Sequence, residues 1–270
     1  MIRIVSDSTS DLSPELIKRY EIQMIPLSVV IGDRYLKDGL EVTPEEIYRW
    51  SDEHGITPKT CSFSPGEAEN VIERAKEAGD DIIFFGISSY MSSSCANFSL
   101  AADNLDYRDH VFVVDSQNLS VGIALLILKA AKMIDEGEKT AGEIWLELQK
   151  YIPMIRASFV VETPVYLYRG GRCGAVTALA AGALKIKPKI IVRDGKMGVG
   201  AKYRGRQDAV IKKYVRDLKP QLMKADTDAV FIVHSGVSGE VLRFVENEIL
   251  ALRRFDRVII TRAGGVISSH

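Results

Sequence analysis

A chain of 270 residues, set against about 150 residues per domain, accommodates one large domain or two modest ones and buries a core either way. Hydrophobic residues at 46% and charged residues at 26% exclude a disordered or fibrous chain. With 35 basic and 36 acidic side chains the net charge is -1, which argues against a general polyanion-binding surface and so against nucleic acid as a partner. From the N-terminus, Ile2 to Val5 predicts a short buried strand running into the polar stretch Ser6 to Asp11. Charge interrupts this opening too early for a signal-peptide core or transit peptide, and the expected location is the cytoplasm. Pro14 opens a helix with Ser13 as N-cap and Glu15 in the first turn. Ile22 to Ile31 is rich in Ile, Val and Leu, and Gly32-Asp33 marks a turn before Tyr35. Thr43, Pro44 and Glu46 read as cap, first position and N3 of another helix.

Further along, Asp81 to Ile87, Val111 to Val114 and Ala229 to Val233 repeat the strand signal. Asn118 to Ile134, Ala141 to Ile152 and Gly239 to Leu252 carry apolar residues at helical spacing without internal proline. This alternation predicts an α/β fold with a mainly parallel sheet covered on both faces. Ile190 to Val192 leads into Asp194-Gly195, a hairpin signal, so an antiparallel pair and a second domain are expected. The boundary is placed between residues 155 and 165, giving domains over 1–160 and 161–270. The longest uncharged, mostly apolar stretch, Ala175 to Leu184, is about half of the ~20 residues a membrane span needs, so membrane contact is expected to be transient at most.

Several chemistries lack their residues. Cys61, Cys95 and Cys173 are odd in number and scattered, giving neither a disulfide framework nor a zinc spacing, which suits a reducing compartment. His54, His110, His234 and His270 show no HExxH spacing, so no metal is expected. Gly198-Val-Gly200 fails the dinucleotide fingerprint, and no Walker phosphate loop is present. Ser88 in Gly86-Ile-Ser-Ser-Tyr90 comes near a nucleophile elbow without its closing glycine.

Hydroxyls nevertheless gather after strands: Ser6, Ser8, Thr9 and Ser10 after the first, then Ser88, Ser89 and Ser92 to Ser94 after another. Ligands in open α/β sheets bind beyond the carboxyl ends of strands. Thr60, Cys61, Ser62 and Ser64 precede Pro65, a pattern open to reading as a helix cap or as ligand contacts.

In order, Ser6-Asp7-Ser8-Thr9-Ser10-Asp11-Leu12, Tyr35 to Gly39, Pro58-Lys59-Thr60, Asp115-Ser116, Tyr168-Arg-Gly-Gly-Arg172, Lys187-Pro188, Arg204-Gly-Arg206 and the Gly264-Gly265 to His270 ending resemble the successive signatures of the DegV family over essentially the whole chain. Cys61, Phe63 and Ser93-Ser94 depart from the residues usual there. The resemblance implies two α/β domains, the first a three-layer parallel-sheet domain and the second carrying a mixed sheet, with a long-chain fatty acid buried between them and no cofactor. It also implies a cytoplasmic bacterial protein that is not itself a catalyst and presents the acyl carboxyl group to a separate ATP-binding fatty acid kinase subunit. Mapped by motif, Thr60, Ser92 or Ser94, and His270 surround the carboxyl group, while Arg172 and Arg204 face the partner and the transferred phosphate. Two rival expectations stand beside this one: a serine-dependent acyl hydrolase or transferase using Ser92 or Ser88 with His270, and a lipid-sensing regulatory module.

Overall fold

The computed structural model describes residues 1–176 and 186–269. In chain order the strands are β1 (Ile2–Asp7), β2 (Gln23–Ile25), β3 (Ser28–Ile31), β4 (Arg34–Lys37), β5 (Lys59–Cys61), β6 (Asp81–Gly86), β7 (Val111–Asp115), β8 (Ser158–Val160), β9 (Ile186–Arg193), β10 (Lys196–Arg204), β11 (Val230–His234) and β12 (Val258–Arg262). Helix starts follow local chemistry. Thr43 and Ser64 accept from the N3 backbone while Glu46 and Glu67 reach back, so both are complete capping boxes ahead of Pro44–His54 and Pro65–Ala78.

β2, β1, β6 and β7 lie side by side in that order, all parallel. Ile82 to Phe85 in β6 are wholly buried, as a strand covered on both faces requires. Ile4, Ile83 and Phe85 pack into the core shared with the helices Val121–Glu136 and Ala141–Tyr151. Val5, Ile82 and Phe84 pack the other way, against Pro65–Ala78 and Ser94–Asn104. There Phe84 stacks on Phe98 with ring centroids 4.0 Å apart, and Phe63 meets both edge-on. The chain leaves β1 for β2 on one side and later returns to β6 on the other. That reversal opens a crevice beyond the carboxyl ends of β1 and β6.

The apolar run from Ile22 divides at Pro26, which has no N–H to continue a ladder. β3 consequently joins a separate antiparallel sheet, β4-β3-β5, in which Val29 lies opposite Thr60. The helix expected from Asn118 starts at Val121 instead. Gln117 and Ser120 adopt φ of 48° and 54°, which turns residues 116–120 into a loop at the crevice.

In the C-terminal half, parallel and antiparallel pairing divide between two sheets. β10-β9-β8 is antiparallel, and Asp194 and Gly195 both take positive φ in its hairpin turn, as a two-residue connection demands. β11 and β12 form a parallel pair, and the helices Gln207–Asp217 and Gly239–Leu252 share an apolar core with them. After β12 the chain returns to the first half, where the turn Gly265–Ser268 packs on β3 and on Pro44–His54. Among the described residues no helix is long and apolar enough to cross a membrane.

Candidate functional site

Between the halves lies a cavity of about 1640 Å³, above the ~300–1,000 Å³ usual for small-molecule pockets. One wall is a single face of the helix Val121–Glu136, carrying Val121, Leu125, Leu128, Lys129 and Lys132. Spacings of three and four align these side chains along about 16 Å of helix at 1.5 Å per residue. The C-terminal half supplies apolar side chains opposite, among them Phe159, Ile211, Phe231 and Val241.

Hydroxyls collect where the cavity meets the crevice. Thr60, Ser62, Ser92 and Ser93 stand in the wall. Ser94 is wholly buried, with its Oγ 3.0 Å from Ser92 Oγ and 3.2 Å from Ser62 Oγ. Its hydroxyl also bonds the Asp7 carboxyl group. Asn97 Nδ2 donates to the Phe63 carbonyl at 2.7 Å and fixes the two hydroxyl-bearing segments together.

Three carboxyl groups lie beneath this edge. Asp7 accepts from the N–H groups of Thr9 (3.1 Å) and Ile87 (2.9 Å), so it ties the end of β1 to the end of β6. Asp11 accepts from the Ser120 hydroxyl and from the Gly264 N–H at 2.8 Å. Asp38 accepts from the Ser8 hydroxyl at 2.8 Å and the Gly265 N–H at 2.7 Å. Burial pushes Asp7 up to about 6 and Asp11 up to about 7, and it raises Asp38 as well. Hydrogen bonds offset part of that rise, and for Asp11 the neighbouring carboxylates add to it. Sequence reading assigns these acids no role of their own, although the segments that hold them are among the family signatures. The positive φ of Asp11 leaves no mark that distinguishes it from any turn aspartate.

The residues singled out from sequence fare differently. Thr60 and Ser92 share the cavity wall, and Ser94 stands one layer behind them. Arg172 lines the cavity and also a shallower cleft of about 200 Å³ beside Lys59 and Arg169. Arg204 ends β10 opposite Ile186, exposed and apart from the cavity wall. His270 lies outside the described residues; Ser268 before it reaches the wall. Thr60 sits on β5, and the cap of the following helix is Ser64.

Two nucleophilic side chains, Ser88 and Cys95, are held by burial. Ser88 is wholly buried and its hydroxyl donates to the Gly195 carbonyl at 2.7 Å, which makes it a tie between the halves. The Cys95 thiol is pushed up by burial and is correspondingly inert. His234, Tyr48 and Gln207 also line the cavity, unanticipated from sequence. The Tyr48 hydroxyl and Gln207 Oε1 are buried without hydrogen-bond partners among the described residues. No pattern of spacing announces them, because each is brought to the wall from a different element: Tyr48 from the helix Pro44–His54, Gln207 from the start of Gln207–Asp217 and His234 from the end of β11. No cluster of three or more His, Cys, Asp or Glu suited to a metal occurs among the described residues.

A profile described as "Uncharacterised protein, DegV family" matches residues 1–270. A DegV domain-containing protein of Caldanaerobacter subterraneus subsp. tengcongensis is 32% identical over 271 residues, covering 100% of this chain and 94% of its own. A solved DegV family protein from Thermus thermophilus, described as binding fatty acid, superposes with a TM-score of 0.88 at 27% identity, covering 100% of this chain and 95% of its own. A stearic acid-binding protein from Eubacterium ventriosum superposes with a TM-score of 0.81 at 29% identity, covering 95% and 89%.

Proposed function

The chain belongs to the DegV family, and on that premise we propose that it binds a long-chain fatty acid in the cavity between its halves and presents the carboxyl group to a separate ATP-binding kinase subunit. The observation that carries this reading is the cavity itself, whose wall is apolar along the helix from Val121 to Leu128 and changes to hydroxyls at Thr60, Ser62 and Ser92. A carboxyl group leaving water needs replacement hydrogen bonds, which neutral hydroxyls give without a buried counter-ion. The acyl chain supplies most of the affinity, at about 0.8 kcal/mol per buried methylene before association costs.

In this reading Thr60, Ser92 and His270 contact the head group, and Ser94 orients Ser92 and Ser62 from behind. Arg172, at the rim, faces the kinase and the transferred phosphate, because a guanidinium fork suits phosphate oxygens. Arg204 contacts only the partner. Acyl-phosphate formation belongs to the kinase, so this chain acts as carrier and not as catalyst.

Native mass spectrometry of gently extracted protein tests the proposal, with a mass increment matching one fatty acid as the expected result. Protein that carries none and takes up none on exposure refutes it. Thr60→Ala is expected to weaken retention by about 0.5–1.5 kcal/mol through the lost head-group hydrogen bond. Unchanged affinity in a fluorescent fatty acid displacement assay would place Thr60 outside the head-group site.

A further inference from the structure

The cavity changes character a second time, at the end away from the hydroxyls. On the helix Val121–Glu136 the wall is apolar through Leu128 and becomes charged at Lys129 and Lys132. Across from it, Ala229, Phe231 and Val233 are apolar, whereas Asp226 and Asp228 just before them are charged. The two transitions occur at one level, because the charges meet: Lys129 Nζ lies 2.8 Å from Asp226 Oδ2 and 2.7 Å from Asp228 Oδ2. Asp226 also accepts the Asp228 N–H at 3.2 Å, which holds the loop in shape, and Lys132 Nζ stands 3.9 Å from Asp228. The Lys129 ammonium lies 5.3 Å from the centre of the Tyr151 ring, so an aromatic face supports it from its own half.

We propose that Lys129 with Asp226 and Asp228 is the stop that sets the longest acyl chain this protein accepts. The inference rests on the fatty-acid reading above, with the carboxyl group held at the hydroxyl edge and the chain laid along the helix Val121–Glu136. A methyl end short of Leu128 exchanges water for apolar contact. One pushed past that level strips water from three charges or drives them apart, and neither loss is regained from a methyl group. Met, with nearly the length of Lys and no charge, converts the stop into additional apolar wall.

The experiment equilibrates delipidated full-length protein with an equimolar mixture of myristate, palmitate, stearate, arachidate and behenate, and reads the bound distribution by native mass spectrometry. Wild type is expected to fall off sharply above one length. Lys129→Met should extend that limit, raising the ratio of the first excluded acid to the last accepted one several-fold, with a ceiling of about fifteenfold for two fully buried methylenes. Lys129→Arg should keep the wild-type limit, and Asp228→Asn, which leaves the helix face intact, should move it in the same direction as Lys129→Met. Identical distributions for wild type, Lys129→Met and Asp228→Asn overturn the stop while leaving fatty acid binding standing. Absence of any bound acid from wild type and variants alike overturns the fatty-acid reading, and the stop with it.

Discussion

Where the returning C-terminal segment meets the first half, buried carboxyl groups with no ion-pair partner among the described residues hold backbone N–H groups; where the helix Val121–Glu136 meets the loop before β11, partly exposed ions hold each other. Asp11 and Asp38 are 5% exposed and grip Gly264 and Gly265. The Lys129 side chain is 25% exposed, with Asp226 at 60% and Asp228 at 33%. Both seams join the same two halves, yet they answer to different variables. The first is sensitive to protonation and to atomic fit, because nothing screens or relaxes a buried carboxyl group. The second is sensitive to salt, because water and counter-ions reach it.

Fit gives the largest expected effect. A Cβ on Gly265 would lie 2.7 Å from Asp38 Oδ1 and 2.9 Å from Ile47 Cδ1. Gly265→Ala therefore has to displace the carboxyl group that binds its own N–H. The expected cost is about 2–4 kcal/mol of unfolding free energy, from overpacking and a stranded buried donor. Urea denaturation measures it, and a loss below about 1 kcal/mol would mean that the seam yields more readily than its geometry implies.

Protonation comes next. Asp7 near 6 and Asp11 near 7 lie above the ordinary 3.8, so over that interval the folded chain binds more protons than the unfolded one. Stability from these acids is complete below the unfolded value and is lost as pH rises through 6 and 7. Each acid contributes at most about 1.4 kcal/mol per pH unit. Asp11→Asn keeps an acceptor for Gly264 and removes the titration, so its stability curve from about pH 5 to about pH 8 should be flatter than wild type. Parallel curves for the two proteins would show that Asp11 does not titrate in that interval.

The two seams also mark how far the sequence can be read. The capping box at Thr43, the Asp194-Gly195 hairpin and the Ile82 to Phe85 strand were legible because their determinants lie within a few residues. Asp11 and Gly264 are 253 positions apart, and Lys129 and Asp228 are 99 apart. No local pattern records such pairings. The same reasoning separates the residues proposed for the head group: Ser92 stood out as a hydroxyl after a strand and Thr60 as one of a cluster before Pro65, but only folding shows that Ser94 bonds Ser92 and Ser62 from behind. Arg172, Arg204 and His270 were singled out through the family resemblance, since a surface arginine or a terminal histidine carries no physical signature of its own.

The smallest effect sharpens the comparison most directly. Replacing Lys129 by Met removes two ion pairs from a partly exposed site, which is expected to cost about 0–1 kcal/mol at low salt. Raising the ionic strength should erase that difference, because the wild-type pairs are screened while the variant has nothing left to screen. Gly265→Ala should show no such convergence, since its loss arises from contact and not from long-range attraction. Unfolding curves for the three proteins at low and high salt therefore distinguish the seams by response. A Lys129→Met deficit that persists at high salt would make its contact with Tyr151 and the surrounding packing, more than its charge, the source of the attachment.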